Sequence, residues 1–184
     1  MARSIKRPII GFAGRQTAGK SLAAITLKSS GFKRMAFADP IKEALMAMGL
    51  THEQLYGAEK ELPSDILGGQ TPRHAMRSLG DWGRQTYGHD FYVRIMRSKI
   101  MQMPIDQRIA IEDVRYRNEA DLIHSFGGSV VLIRREGADT SPVTHSSEEL
   151  DVLFDVAVSN YGTVRAFMDI IEGVVDICFD QAAE

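Results

Sequence analysis

Ile9-Ile10-Gly11-Phe12-Ala13-Gly14-Arg15-Gln16-Thr17-Ala18-Gly19-Lys20-Ser21-Leu22-Ala23-Ala24-Ile25 holds every fixed position of the phosphate-loop pattern G-x-x-x-x-G-K-[ST], between an apolar strand-like run and the start of a helix-like one. Glycines let the backbone wrap tightly, so that successive N–H groups and a helix N-terminus converge on phosphate oxygens. Lys20 is placed to reach β- and γ-phosphates, and Ser21 to offer its hydroxyl to Mg²⁺. Gly14, Thr17, Ala18, Gly19, Lys20 and Ser21 are therefore the candidate nucleotide-binding residues. The pattern does not choose among kinase, ATPase and GTPase.

Outward from this loop, apolar runs alternate with helical patterns, which predicts an α/β domain with a parallel sheet. Strands are expected at Pro8–Ala13, Lys33–Phe37, Arg108–Glu112, Ser129–Arg134 and Phe154–Val158. Several are apolar on successive residues, as in sheets covered on both faces. Helices are expected at Lys20–Ser29, Pro40–Met48, Pro72–Thr86, Tyr92–Met103, Asn118–Phe126, Ser147–Leu153 and Thr163–Asp180. The last carries an apolar stripe at Phe167, Ile170, Ile171, Val174, Val175 and Ile177. About seventy residues separate the second strand from the third, too many for a simple crossover, which predicts inserted helices. A single domain follows, with a core of about 1–48 and 105–184, an insertion of about 49–104 and a lid-like excursion of about 135–150.

Composition narrows the function. The 184 residues carry 22 Lys+Arg against 24 Asp+Glu, a formal charge of -2, which argues against a protein that coats nucleic acid. One cysteine, Cys178, excludes an internal disulfide framework and fits a reducing compartment. No apolar stretch suits a signal peptide or a membrane span, so a cytoplasmic protein is expected. His52, His74, His89, His124 and His145 show no metal-ligand spacing and read as surface or packing residues. Of the basic residues 15 are Arg, and eight of these lie from Arg73 to Arg117. Arg forks onto phosphate better than Lys does.

Two further stretches extend the phosphate chemistry. Ile109-Ala110-Ile111-Glu112-Asp113-Val114-Arg115 ends a strand in two carboxylates, one of which is expected to help hold Mg²⁺; Asp113 comes first and Glu112 second. Arg115 shares the face of Asp113 if the chain stays extended. Thr71-Pro72 opens a helix on which Arg73, Arg77 and Arg84 fall within roughly 40° of one another, at about 100° per residue. Ala75, Met76, Leu79 and Trp82 fall on the opposing, apolar side, and Gly80 and Gly83 count against a rigid continuous helix. Binding of a substrate phosphate by part of this row stands beside the plainer reading of a solvated charged face.

Together with the phosphate loop, Phe37-Ala38-Asp39-Pro40-Ile41-Lys42, Thr71-Pro72-Arg73, Gly80-Asp81-Trp82-Gly83-Arg84, Glu112-Asp113-Val114-Arg115 with Asn118-Glu119-Ala120, and Asn160-Tyr161-Gly162-Thr163 occur in an order that resembles the bacteriophage-type deoxynucleoside monophosphate kinases over nearly the whole chain. The resemblance implies a P-loop NTPase fold: a five-stranded parallel sheet flanked by helices, inserted monophosphate-binding helices and a short lid. It implies transfer of the ATP γ-phosphoryl group to a deoxynucleoside monophosphate, with Mg²⁺ as cofactor. Asp39, Lys42, Arg73, Arg77, Trp82, Arg84, Asp113 and Arg115 would then line or support the monophosphate site. Arg134 and Arg135 stand where such kinases carry lid arginines and join Lys20 as catalytic candidates. Asn160, Gly162 and Thr163 stand where the loop after the last strand packs against the donor adenine. The pattern departs at Asp81, which stands alone where Thr-Glu is expected, and the lid has no metal-binding cysteines.

The implied partners are small nucleotides, with neither nucleic acid nor membrane, and a homodimer is left open. If phage-encoded, the protein would work in the host cytoplasm. Two rivals remain: a P-loop kinase for another small acceptor such as dephospho-coenzyme A or a sugar, and a nucleotide-dependent switch without transfer activity.

Overall fold

Strand β1, Ile9–Ala13, is buried at every position, because strands flank it on both sides and helices cover it. The computed structural model describes residues 6–135 and 153–180. It places β1 third in a five-stranded sheet of order β2-β3-β1-β4-β5, with β2 at Lys33–Met35, β3 at Ile109–Val114, β4 at Ser129–Arg134 and β5 at Val156–Ser159. Every pairing is parallel: Ile10 lies opposite Ala110 on one side and Ser129 on the other. The near-continuous apolar runs of β1, β3 and β4 reflect this two-sided cover.

Helices α1 (Lys20–Thr26), α6 (Arg117–Ser125) and α7 (Val164–Asp180) accompany the sheet. Ile10, Phe12, Val131 and Ile133 pack with Phe167, Ile171 and Val174 of α7. The stripe expected on α7 is narrower than its sequence suggests, since Ile170 and Ile177 are 41% and 52% exposed. At about 100° per residue both lie on one flank of the Phe167–Ile171–Val174 line, beyond the reach of the sheet. β3 runs two residues further than expected and takes Asp113 and Val114 into the strand.

The chain divides into two compact units, Met1–Ala36 with Ile100–Glu184, and Phe37–Lys99. The second contains α2 (Asp39–Ala47), α3 (His52–Tyr56), two short 3-10 turns at Ala58–Glu61 and Asp65–Leu67, α4 (Pro72–Tyr87) and most of α5 (Phe91–Met101). The excursion expected over about 49–104 thus begins earlier and takes in α2. The reason is packing: Ile41 and Leu45 of α2 bury against Leu50, Leu55 and Tyr92.

Helix α4 runs unbroken through Gly80 and Gly83, against expectation. Both glycines are buried, and a Cβ on Gly83 would sit 2.5 Å from the Tyr92 hydroxyl. Gly83 is a point of close approach between α4 and α5, and Gly80 one between α4 and Ile41 of α2. Trp82, expected on the apolar side of α4, is 49% exposed. Residues 136–152, nearly all of the expected lid and of the helix at Ser147–Leu153, lie outside the described residues, as does His145. Among the described residues no helix is long and apolar enough to cross a membrane.

Candidate active site

The phosphate loop leaves the carboxyl end of β1 and feeds α1, the place where parallel α/β sheets bind ligands. Gly14 and Gly19 have φ of 147° and 112°. A Cβ would stand 2.6 Å from the Ile133 carbonyl oxygen at Gly14, and 2.6 Å from Asn160 Nδ2 at Gly19. Thr17, with φ 66°, is the one non-glycine in the left-handed region among the described residues. That conformation costs a side chain on the order of 1 kcal/mol.

Side chains take up the carbonyls of this loop. Lys20 Nζ donates to Gly14 O at 2.6 Å and Arg15 O at 2.7 Å. Arg135 Nη1 donates to Thr17 O at 3.0 Å, and Asn160 Nδ2 to Ala18 O at 2.8 Å. The first-turn N–H groups of α1 have no intrahelical acceptor and carry the positive end of the helix dipole. The exposed Ser21 hydroxyl sits in this turn.

Burial pulls the Lys20 ammonium from its usual 10.5 to about 8, and Arg115 acts in the same direction. The carboxylates of Asp113 and Glu112 oppose both. These four residues therefore share one electrostatic neighbourhood at the carboxyl ends of β1 and β3.

The two carboxylates at the end of β3 differ in what holds them. Glu112 is buried, and both its oxygens accept from Arg34 on β2, Oε2 from Nε at 2.7 Å and Oε1 from Nη2 at 2.5 Å. Asp113 is half-buried beyond it. The turn after β3 is fixed by buried Glu119, whose Oε2 accepts from the N–H groups of Arg115 and Tyr116 at 2.7 and 3.1 Å. Sequence reasoning gave no role to Arg34 or Glu119. The Glu119 signal was half present, a Glu at the third position of a helix, without Ser or Thr at the N-cap.

The exposed Arg134 ends β4, and its carbonyl accepts from Asn160 N at 2.8 Å. Thr163 Oγ1 accepts from Ala166 N at 3.2 Å and so caps α7, with exposed Gly162 just before it. The loop residues, Asn160 and Arg135 are joined by these bonds, and Glu112, Asp113 and Arg115 join through Lys20.

Phe37–Lys99 holds the other candidates. Asp39 opens α2, and Lys42 Nζ lies 4.3 Å from the Tyr56 ring centroid, with His52 stacked on Tyr56 at 4.6 Å. Arg73 Nε donates to Glu61 Oε1. Arg77, half-buried, lies one helical turn further along α4. The Arg84 guanidinium sits 5.5 Å from the Tyr92 centroid and 3.6 Å from Asp81 Oδ1, so the lone Asp81 steadies an arginine of the row. Trp82 makes an edge contact with Tyr87 at 5.5 Å, on another side of α4 from the arginines.

Among the described residues, no group of three or more His, Cys, Asp or Glu could hold a metal ion. Mg²⁺ at a nucleotide asks for less: a hydroxyl or one or two carboxylates, with phosphate and water completing the octahedron. Ser21, next to Lys20 in the chain, and Asp113, within its electrostatic reach, offer such hard oxygens and fit that ion.

No protein-family model matches the chain. A protein of Acanthamoeba polyphaga mimivirus, provisionally named a deoxynucleotide monophosphate kinase, is 34% identical over 188 residues, covering 91% of this chain and 96% of its own. The crystal structure of TT1252 from Thermus thermophilus superposes with a TM-score of 0.51 at 15% identity, over 92% of this chain and 97% of that one, and shares the fold. A dephospho-CoA kinase from Campylobacter jejuni gives 0.46 at 15% identity, over 92% and 96%.

Proposed function

The chain belongs to the deoxynucleotide monophosphate kinase family, and we propose that it transfers the γ-phosphoryl group of ATP to a deoxynucleoside monophosphate, giving ADP and the deoxynucleoside diphosphate. The observation that carries this is the phosphate loop: Lys20 anchored on two loop carbonyls at the head of α1, beside the carboxylates of β3.

The nucleophile is a phosphate oxygen of the acceptor, already anionic, so alignment and charge neutralisation do the work and no strong base is required. Lys20 stabilises charge on the transferring group, with Arg134 and Arg135 adding cations from the end of β4. Ser21 and Asp113 would hold Mg²⁺, which when bound neutralises donor-phosphate charge. Asp39, Lys42, Arg73, Arg77, Trp82, Arg84 and Arg115 bind or orient the acceptor. Arg73 is available for this because its partner Glu61 is an exposed side chain, and such surface pairs are worth only about 0–1 kcal/mol. A phosphate dianion offers its fork more.

A coupled assay with ATP, Mg²⁺ and each deoxynucleoside monophosphate tests the reading. Acceptor-dependent ADP release is expected. Turnover only with dephospho-coenzyme A or a sugar would replace the acceptor, and nucleotide binding without any turnover would make the protein a switch. Lys20→Ala should lower kcat by at least about a hundredfold with the fold intact by circular dichroism.

A further inference from the structure

We propose that Asn160 is a positioning residue of the phosphate loop, holding the Ala18–Gly19 peptide in its phosphate-binding orientation rather than contacting the donor base. This rests on the reading of the loop as a nucleotide site.

The carbonyl and the N–H of one peptide plane point in opposite directions. Asn160 Nδ2 donates to Ala18 O at 2.8 Å, so the N–H of Gly19 in the same plane is turned the other way. Because the partner is a carbonyl oxygen, the group facing it must be the amide NH₂. Asn160 is itself anchored, its backbone N–H donating to Arg134 O at 2.8 Å as an extension of the β4–β5 ladder. Its side chain lies so close to the loop that a Cβ at Gly19 would be 2.6 Å from Nδ2. The glycine at position 19 therefore serves the asparagine as well as its own φ of 112°.

The neighbouring peptide shows why an external hold is needed. Its carbonyl, Thr17 O, accepts from Arg135, while its N–H, that of Ala18, donates back to Arg15 O at 3.2 Å. That plane is fixed at both ends, by Arg135 from beyond the loop and by Arg15 within it. The Ala18–Gly19 plane has its carbonyl end fixed by Asn160, and its N–H end is the one a phosphate oxygen would take. Lys20 occupies Gly14 O and Arg15 O. Asn160 thus supplies the hold on the Ala18 carbonyl, the one before the N-cap Gly19, whose own carbonyl accepts from Ala23 N at 2.9 Å.

Calorimetric titration with MgATP and with inorganic tripolyphosphate, which has phosphates but no base, separates the alternatives. The wild type is compared with Asn160→Ala and Asn160→Leu, the second filling the space of the amide without a donor. Each variant is expected to bind both ligands about tenfold more weakly, by the same factor for each, as fits one lost hydrogen bond and a looser loop. Melting temperatures should stay within a few degrees of the wild type. If ATP weakens while tripolyphosphate does not, Asn160 contacts the base and the proposal is overturned. If Asn160→Leu binds like the wild type, the side chain only fills space, which also overturns it. A wild type that binds neither ligand would instead sink the nucleotide-site reading.

Discussion

Lys20 is an ammonium held against two carbonyls and short of water, and its depressed pKa has consequences of opposite sign for catalysis and stability. Catalysis uses the charged form, so kcat/KM for ATP should be flat below about pH 8 and fall above it. The kcat limb should lie at higher pH, because bound polyphosphate favours the ammonium. For folding, the unfolded chain keeps this proton to about 10.5 and the native chain only to about 8, so Lys20 costs stability below 8 and the cost is relieved between 8 and 10.5. Lys20→Met should flatten that rise in pH-dependent denaturant titrations. Arg34 offers a second test. Arg34→Met strands the buried Glu112 carboxylate and should cost about 2 kcal/mol, less than a fully buried pair because the guanidinium is 40% exposed. Arg34→Met with Glu112→Met should recover most of that loss in chemical denaturation. The phosphate-loop pattern was legible because its fixed positions lie within eight residues, whereas the bonds of Arg135 and Asn160 to its carbonyls, from 118 and 142 positions away, were not. Arg34 was not, because its partner lies 78 residues away and meets it only once β2 and β3 pair.

Helix α4 shows how element-scale facts hide in a sequence. Its start was plain from Thr71 and Pro72, and the Thr71 side chain does accept from His74 N. Its continuity was not, because glycine argues against a helix until the neighbour that requires it is known. Gly83→Ala would force a methyl into the Tyr92 hydroxyl, which itself donates to Leu79 O at 2.8 Å, and should destabilise the protein by about 1–3 kcal/mol despite the better helix propensity of alanine. Combining it with Tyr92→Phe should recover part of the lost melting temperature. Short α3 was passed over although it carries a full capping box, with Thr51 and Gln54 bonded reciprocally. Its five residues are too few to show a period. Strand β4 was read to the residue, because buried β-branched runs bounded by glycine and charge leave little choice.

Across the whole molecule, the arginine excess does not make a cationic unit. Phe37–Lys99 carries eight basic and eight acidic side chains, and several are paired within it, as Arg73 with Glu61, Arg84 with Asp81 and Lys99 with Glu43. Acceptor recognition should therefore depend on particular forks rather than on overall attraction. Arg73→Met and Arg77→Met should each raise the acceptor KM about tenfold or more while leaving the ATP KM within about twofold, in steady-state kinetics with one substrate varied at a time. Changing Glu61→Gln should leave the acceptor KM the same or lower it.

The sheet order has a bearing on how the protein is made. β1 is translated before the other four described strands and is the middle strand of the finished sheet. Ile9 pairs with Ile109, 100 residues later, and Ile10 with Ser129. At about 5–20 residues per second, β1 waits roughly 5–20 seconds for its first neighbour in the sheet. Phe37–Lys99, contiguous in the chain, is complete before then and can begin to bury its own core. The phosphate loop is translated ahead of its partners: Lys20 gains its β3 carboxylates only after residue 113 is made, and Ala18 gains its side-chain donor only after residue 160.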